Sequence, residues 1–243
     1  MIKHLIYSLM SGMHRGNGLK RIRIMEKKLL SREARFAIPF VYRGSGYFKS
    51  IEPRQNPFEI EQMYKEVCCL TPQRVLEVGT ARGGTLYLWT QAACDTATIV
   101  SVDLPGGKFG GAYPPCRAPF YQAFARPQQA LHLLRCDSHD RLTLENVQSL
   151  FDNKPVDFAF IDGDHTYEGV KKDFQFYGPM VRPGGLIAFH DILPRMDMPE
   201  IQVDRFWREI SDRHEIIEFI GPDSSGRKIG IGLVRVGESG IKI

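Results

Sequence analysis

The stretch RVLEVGTARGGTLYLW, from Arg74 to Trp89, decides how the rest of the chain is read. Val75, Leu76 and Val78 form the short apolar run of a strand buried in a parallel sheet. Gly79 ends it, Gly83 and Gly84 follow, and Thr85 to Ala93 reads as a helix. A strand that turns through glycines into a helix offers close backbone approach and free N–H donors. That suits a small anionic or zwitterionic ligand. The dinucleotide fingerprint G-x-G-x-x-G is not met, because Ala81 stands where its second glycine belongs. Glu77, two residues before the first glycine, suits an ammonium group better than a pyrophosphate.

Downstream of this unit, strands and helices alternate. Thr98 to Asp103, Leu131 to Cys136, Val156 to Ile161 and Leu186 to Phe189 read as strands. Arg141 to Phe151, Glu168 to Tyr177 and Ile201 to Arg213 read as helices. Glu215 to Ile220 and Ile229 to Val236 flank a polar turn and read as a hairpin. This order predicts a doubly wound α/β fold, Rossmann-like, with a mostly parallel seven-stranded sheet and an antiparallel edge. Leu104 to Pro119, rich in glycine and proline, predicts a lid or binding loop.

Upstream, Asn56-Pro57-Phe58-Glu59 is a helix start, with a cap, a first-turn proline and an acid at the third position; the helix runs to about Leu70. Leu19 to Phe36 predicts a basic amphipathic helix with Ile22, Met25 and Leu29 on one face. Ala37 to Ser50 reads as an aromatic, glycine-containing covering loop. Residues 1–50 are therefore expected to be a basic extension, and 51–243 the main domain. Residues 1–36 hold nine Lys/Arg against two Glu, which leaves the rest of the chain at net −3 of an overall +4. That argues against a nucleic-acid binder. The basic segment is expected to pack on its own domain or on another subunit, as in a homo-oligomer, with a solvated basic face; contact with a membrane surface or an acidic substrate is the alternative. Five cysteines without metal spacing predict reduced thiols and a cytoplasmic setting. Leu5 to Met10 is a short apolar patch, below the length of a signal or membrane segment.

The polar residues gather at strand ends. Gly79, Asp103, Asp162 and His190-Asp191 end or follow four strands, and ligands of open α/β sheets bind beyond those ends. Asp103 is placed to accept hydrogen bonds from ribose hydroxyls. Asp162, Asp191 and His190 could surround a divalent cation, with Mg²⁺ or Mn²⁺ suited to carboxylates and Fe²⁺ or Zn²⁺ to added imidazole. His190 reads equally as a ligand or as a ring that orients a carboxylate; His165 reads as a base or as a helix cap.

FIDGDHTYEGVKKDF, GGLIAFHD and VLEVGTARGGT together resemble the metal-dependent O-methyltransferases of class I. The likeness is to the branch related to macrolide-sugar O-methyltransferases and cephalosporin-hydroxylase-like proteins, and it covers about Ile51 to Val236. It implies S-adenosylmethionine (SAM) as cofactor, with Glu77, Gly79, Thr80 and Gly83 at the methionine moiety, Asp103 at the ribose, and Asp137 and Ser138 at the adenine. It also implies a metal, Mg²⁺ above all, on Asp162, His190 and Asp191, with His165 as general base beside Asp162. His190 departs from the pattern, since the sugar enzymes carry a carboxylate there. The expected acceptor is a small hydroxylated molecule, a sugar or natural-product diol. The alternatives are a non-haem iron oxygenase using His165, His190 and one Asp, and a SAM-binding scaffold without turnover.

Overall fold

A computed structural model describes residues 2–107, 109, 113–222 and 226–241, with side chains from residue 10 onward. The apolar patch at residues 5–9 and residues 108 and 110–112 of the expected lid thus lie outside the described side chains.

The chain forms one seven-stranded sheet. Its strands are β1 (Arg74–Val78), β2 (Thr98–Val102), β3 (Ala130–Leu134), β4 (Val156–Ile161), β5 (Val181–His190), β6 (Glu215–Pro222) and β7 (Lys228–Arg235). The order is β3-β2-β1-β4-β5-β7-β6. The first five run parallel, and β7 pairs antiparallel with both β5 and β6, as the hairpin reading requires. The strand order reverses between β1 and β4, which opens a crevice at their carboxyl ends. Backbone bonds tie the tips side by side: Gly79 N donates to Val102 O at 2.8 Å, Asp103 N to Leu134 O at 2.9 Å, and Asp162 N to Val78 O at 2.8 Å.

The helices among the described residues are α1 (Ile2–Lys28), α2 (Arg32–Arg35), α3 (Ile38–Val41), α4 (Pro57–Leu70), α5 (Gly84–Ala92), α6 (Ala118–Gln122), α7 (Arg141–Leu150), α8 (Tyr167–Tyr177) and α9 (Val203–Ser211). They cover both faces of the sheet. On one face Trp89 of α5 packs edge-on against Phe158 and Phe160 of β4, with ring centroids 4.9 and 5.5 Å apart. On the other, Val170 and Phe174 of α8 and Phe206 of α9 lie against Leu76, Ala159 and Phe189. Each large apolar side chain buried this way contributes about 1.5–3 kcal/mol.

The N-terminal region differs from its expected form. One helix spans Ile2–Lys28 instead of Leu19 to Phe36, and it stops because Ser31 starts another, its hydroxyl accepting from Ala34 N at 3.1 Å. The expected apolar face does dock: Ile22 is buried, and Met25 and Leu29 pack on the same core. Glu26 accepts from the Tyr87 hydroxyl at 3.2 Å and pins α1 to α5. The aromatic stretch 37–50 is folded rather than open, and Ile38, Tyr42 and Phe48 join the core of the sheet. Strand β5 is longer than Leu186 to Phe189, since Arg182 to Gly185 continue the extended chain, with Gly184 bonded to Val236 O. No helix among the described residues is long and apolar enough to cross a membrane.

Candidate active site

The turn after β1 is fixed by close backbone packing. Gly79 has φ 98°, and a β-carbon there would lie 2.1 Å from the Asp162 carbonyl oxygen. Only glycine lets the ends of β1 and β4 close this far. Ala81, at the position a dinucleotide turn gives to glycine, takes the left-handed φ of 42°. Its strain is offset by Asp103, whose Oδ2 accepts from Thr80 N at 3.0 Å and Ala81 N at 2.7 Å. Gly83 begins α5 with φ 79°, beneath the Tyr121 ring.

Beyond the strand ends lies one cavity of about 610 Å³, within the range of small-molecule sites. Gly79, Asp103, Asp137, Ser138, Asp162, His165, His190 and Asp191 all line it. Residues far apart in sequence are thus brought together, as their positions at strand tips predict. Thr80, Gly83 and Glu77 do not line it. Glu77 is fully buried, its carboxylate accepting from Thr85 Oγ1 at 2.6 Å, Trp89 Nε1 at 3.1 Å and Ser101 Oγ at 2.6 Å. Strand residues alternate faces, and position 77 shares its face with Val75, under α5. The expectation that Glu77 meets an ammonium group is therefore not what the geometry offers: Glu77 holds the strand to the helix. Burial pushes its carboxyl up to about 8, against the pull of its hydrogen bonds from Ser101 and Thr85.

At the β3 end, His139 N donates to Asp137 Oδ1 at 2.8 Å, and the Tyr177 hydroxyl donates to Ser138 O at 2.7 Å. His139, unremarkable in the sequence, also lines the cavity, and its Nε2 lies 3.3 Å from the buried Asp173. That hydrogen bond raises the His139 pKa despite burial.

At the β4–β5 end the side chains hold one another. His165 Nδ1 is 3.1 Å from Asp191 Oδ2, and His190 Nδ1 is 3.2 Å from Asp162 Oδ1. Three further partners come from segments with no motif. Gln55 donates to Asp162 Oδ2 at 2.7 Å, Arg195 to Asp191 Oδ1 at 2.9 Å, and Glu59 Oε1 lies 3.3 Å from His190 Nε2. Glu59 also closes the predicted capping box of α4, accepting from Asn56 N at 2.7 Å. Burial opposes charge on His165 and His190, but the neighbouring carboxylates outweigh it and raise both pKa values. Burial likewise opposes charge on Asp191, yet His190, His165 and Arg195 hold its carboxyl well below the usual range. The Phe109 ring covers His165 at 5.0 Å.

Residues 76–192 match a protein family described as Methyltransferase domain. Over that stretch, just under half of its length, the chain is similar to methyltransferase domains. Solved structures agree with it in fold. A Klebsiella pneumoniae structure overlaps with TM-score 0.52 at 16% identity, covering 88% of this chain and 99% of that one. The O-methyltransferase TomG of Streptomyces achromogenes, solved with SAM, gives 0.51 at 15% identity over 72% and 78%. MycE of the mycinamycin pathway, solved with Mg, S-adenosylhomocysteine (SAH) and mycinamycin VI, gives 0.50 at 18% over 81% and 54%. Among curated proteins, the Sinorhizobium fredii protein y4gI is 28% identical over 189 residues, 74% of this chain and 20% of its own length. Protein R132 of Acanthamoeba polyphaga mimivirus is 43% identical over 49 residues, 19% of this chain and 22% of its own length. The chain thus spans about a fifth of the length of the curated relatives it matches.

The cavity joins an acid at the tip of β2, a polar loop after β3 and the glycine turn after β1, groups that could hold an adenosyl ligand. The expected metal donors fit less well. Among the described residues, no three His, Cys, Asp or Glu side chains are arranged to hold one ion. The carboxylates of Asp162 and Asp191 face Gln55, the two imidazoles and Arg195 instead. The Arg195 guanidinium, 2.9 Å from Asp191 Oδ1, already supplies that oxygen with a positive partner. The same geometry bears on an iron triad of His165, His190 and an Asp, since His190 Nε2 is turned to Glu59.

Proposed function

We propose that this domain moves a methyl group from SAM to a hydroxyl oxygen of a small molecule, with His165 as the proton acceptor. One observation carries the reading. A single cavity has Gly79, Asp103, Asp137 and Ser138 at one end and Asp162, His165, His190 and Asp191 at the other. The first group suits the methionine and adenosine parts of the cofactor, and the second suits a reacting oxygen. SAM supplies an electrophilic methyl group on a sulfonium. The protein's part is alignment and proton removal. Asp191 accepts the hydrogen bond donated by His165 Nδ1–H and so leaves Nε2 as the basic atom, 3.9 Å from Asp162 Oδ1. A hydroxyl seated between Nε2 and the sulfonium loses its proton to Nε2 as the carbon–oxygen bond forms. Asp162, fixed by Gln55 and His190, stabilises the imidazolium that this proton transfer leaves on His165.

Titration calorimetry with SAM and with NAD tests the cofactor. SAM binding without NAD binding supports the reading, and the reverse overturns it. The metal expectation is tested in the same experiment by Mg²⁺ and by EDTA: turnover that persists in EDTA fits proton removal by His165, and turnover restored only by a divalent ion requires the donors to rearrange.

A further inference from the structure

We propose that the acceptor carries an acidic group, a carboxylate or a phosphate, received by Arg54 and Arg227 at the mouth of the cavity. The proposal rests on the methyl-transfer reading above and names the class of molecule that fills its second end.

Three guanidinium groups reach the cavity wall from three separate segments: Arg54 just before α4, Arg195 after β5 and Arg227 just before β7. All three belong to the His165 end. Gln55, next to Arg54, bonds Asp162 at 2.7 Å; Arg195 bonds Asp191 at 2.9 Å; and β7 sets Ile231, four residues past Arg227, opposite His190. The clustering does not follow from general basicity, since the chain beyond residue 36 is net −3.

The acids on this side are already engaged. Asp191 is held by Arg195 and His165, and Asp162 by Gln55 and His190. Asp164 Oδ1 accepts from Thr166 N at 2.9 Å. Asp197 sits between Arg195 and Arg227. Arg54 has no ion pair or hydrogen bond among the described residues. Met198, Ile201 and Ile229 add apolar wall to the cavity. A neutral hydroxylated acceptor filling this mouth would exclude water from Arg54 and return only uncharged oxygen acceptors to it. An acidic group returns paired, charge-assisted hydrogen bonds.

The test uses the full chain, loaded with SAH, titrated with D-glucuronate, D-glucose 1-phosphate and D-glucose. The expected result is that at least one acid binds about tenfold or more tightly than glucose. Arg54→Gln is expected to weaken that acid by about tenfold and leave SAH affinity unchanged. Which acid wins separates carboxylate from phosphate. Glucose binding as tightly as both acids, no binding of either acid at millimolar concentration, or an unchanged affinity in both Arg54→Gln and Arg227→Gln overturns the proposal. Arg54 is exposed, so its variant is expected to fold even if Arg227→Gln does not. Failure of SAH itself to bind counts against the methyl-transfer reading instead, and the acids are then titrated against the unloaded chain.

Discussion

At the β1–β3 end of the cavity, polar side chains are held by backbone. Asp103 is fixed by two turn amides and Asp137 by the amide of His139. At the β4–β7 end, side chains are held by other side chains, in the chain Glu59–His190–Asp162–Gln55 and the chain His165–Asp191–Arg195. The first end is a rigid mould whose properties follow from chain geometry. The second is a coupled set of charges whose protonation can shift with what enters. A cofactor used by every turnover suits the first, and proton chemistry suits the second.

The largest expected effect falls at the charged end. His165→Asn should lower kcat by about 10²–10⁴-fold with SAM affinity unchanged, as steady-state rates and calorimetry would show. In the unmutated protein kcat should rise with pH through a value above the ordinary 6.5 of histidine, because the base works only when neutral. Equal loss of SAM binding would mean the two ends are not separable. Next comes Gly79→Ala, expected to cost about 3 kcal/mol from left-handed strain and the clash with Asp162 O. Chemical denaturation measures it, and a neutral result would show that the mould yields. Asp103→Ala should weaken SAM by about 1.5–3 kcal/mol while the unimolecular step of bound substrate changes little. Undiminished affinity would remove Asp103 from the cofactor site.

The remaining effect is on stability alone. Glu77 keeps its proton up to about 8 in the fold, and a free glutamate loses it near 4.5. Stability from this group is thus full below 4.5 and falls as pH rises towards 8. Glu77→Gln should flatten that slope in denaturation curves taken across the interval, with SAM affinity preserved. A loss of SAM affinity would restore the ammonium contact that the burial of Glu77 argues against.

These contrasts track what the sequence made legible. The mould was readable because it is local: the apolar run, the glycines and the acid at each strand tip lie within a few residues of one another. The alternation of strands and helices placed Asp103, Asp162 and Asp191 on one edge, and they meet there. That Glu77 turns under α5 was not legible, because spacing from a glycine gives distance along a strand but not the face. Val75 and Trp89, its neighbours in space, decide that. Gln55, Glu59 and Arg195 were invisible as site residues, since each contact spans elements and depends on how α4 and the segment after β5 close on the sheet. Glu59 had already been explained as a helix cap, and nothing local signals its second bond. The break after Lys28 was missed because the basic, apolar pattern runs on through it, and one serine hydroxyl decides the restart.

The Asp103 carboxylate that steadies the turn has one more use. Its Oδ2 is shared by the amides of Thr80 and Ala81, so a ligand competing for that oxygen loosens both. Deuterium uptake at those two positions then becomes a gauge of occupancy, readable by mass spectrometry before any acceptor has been found.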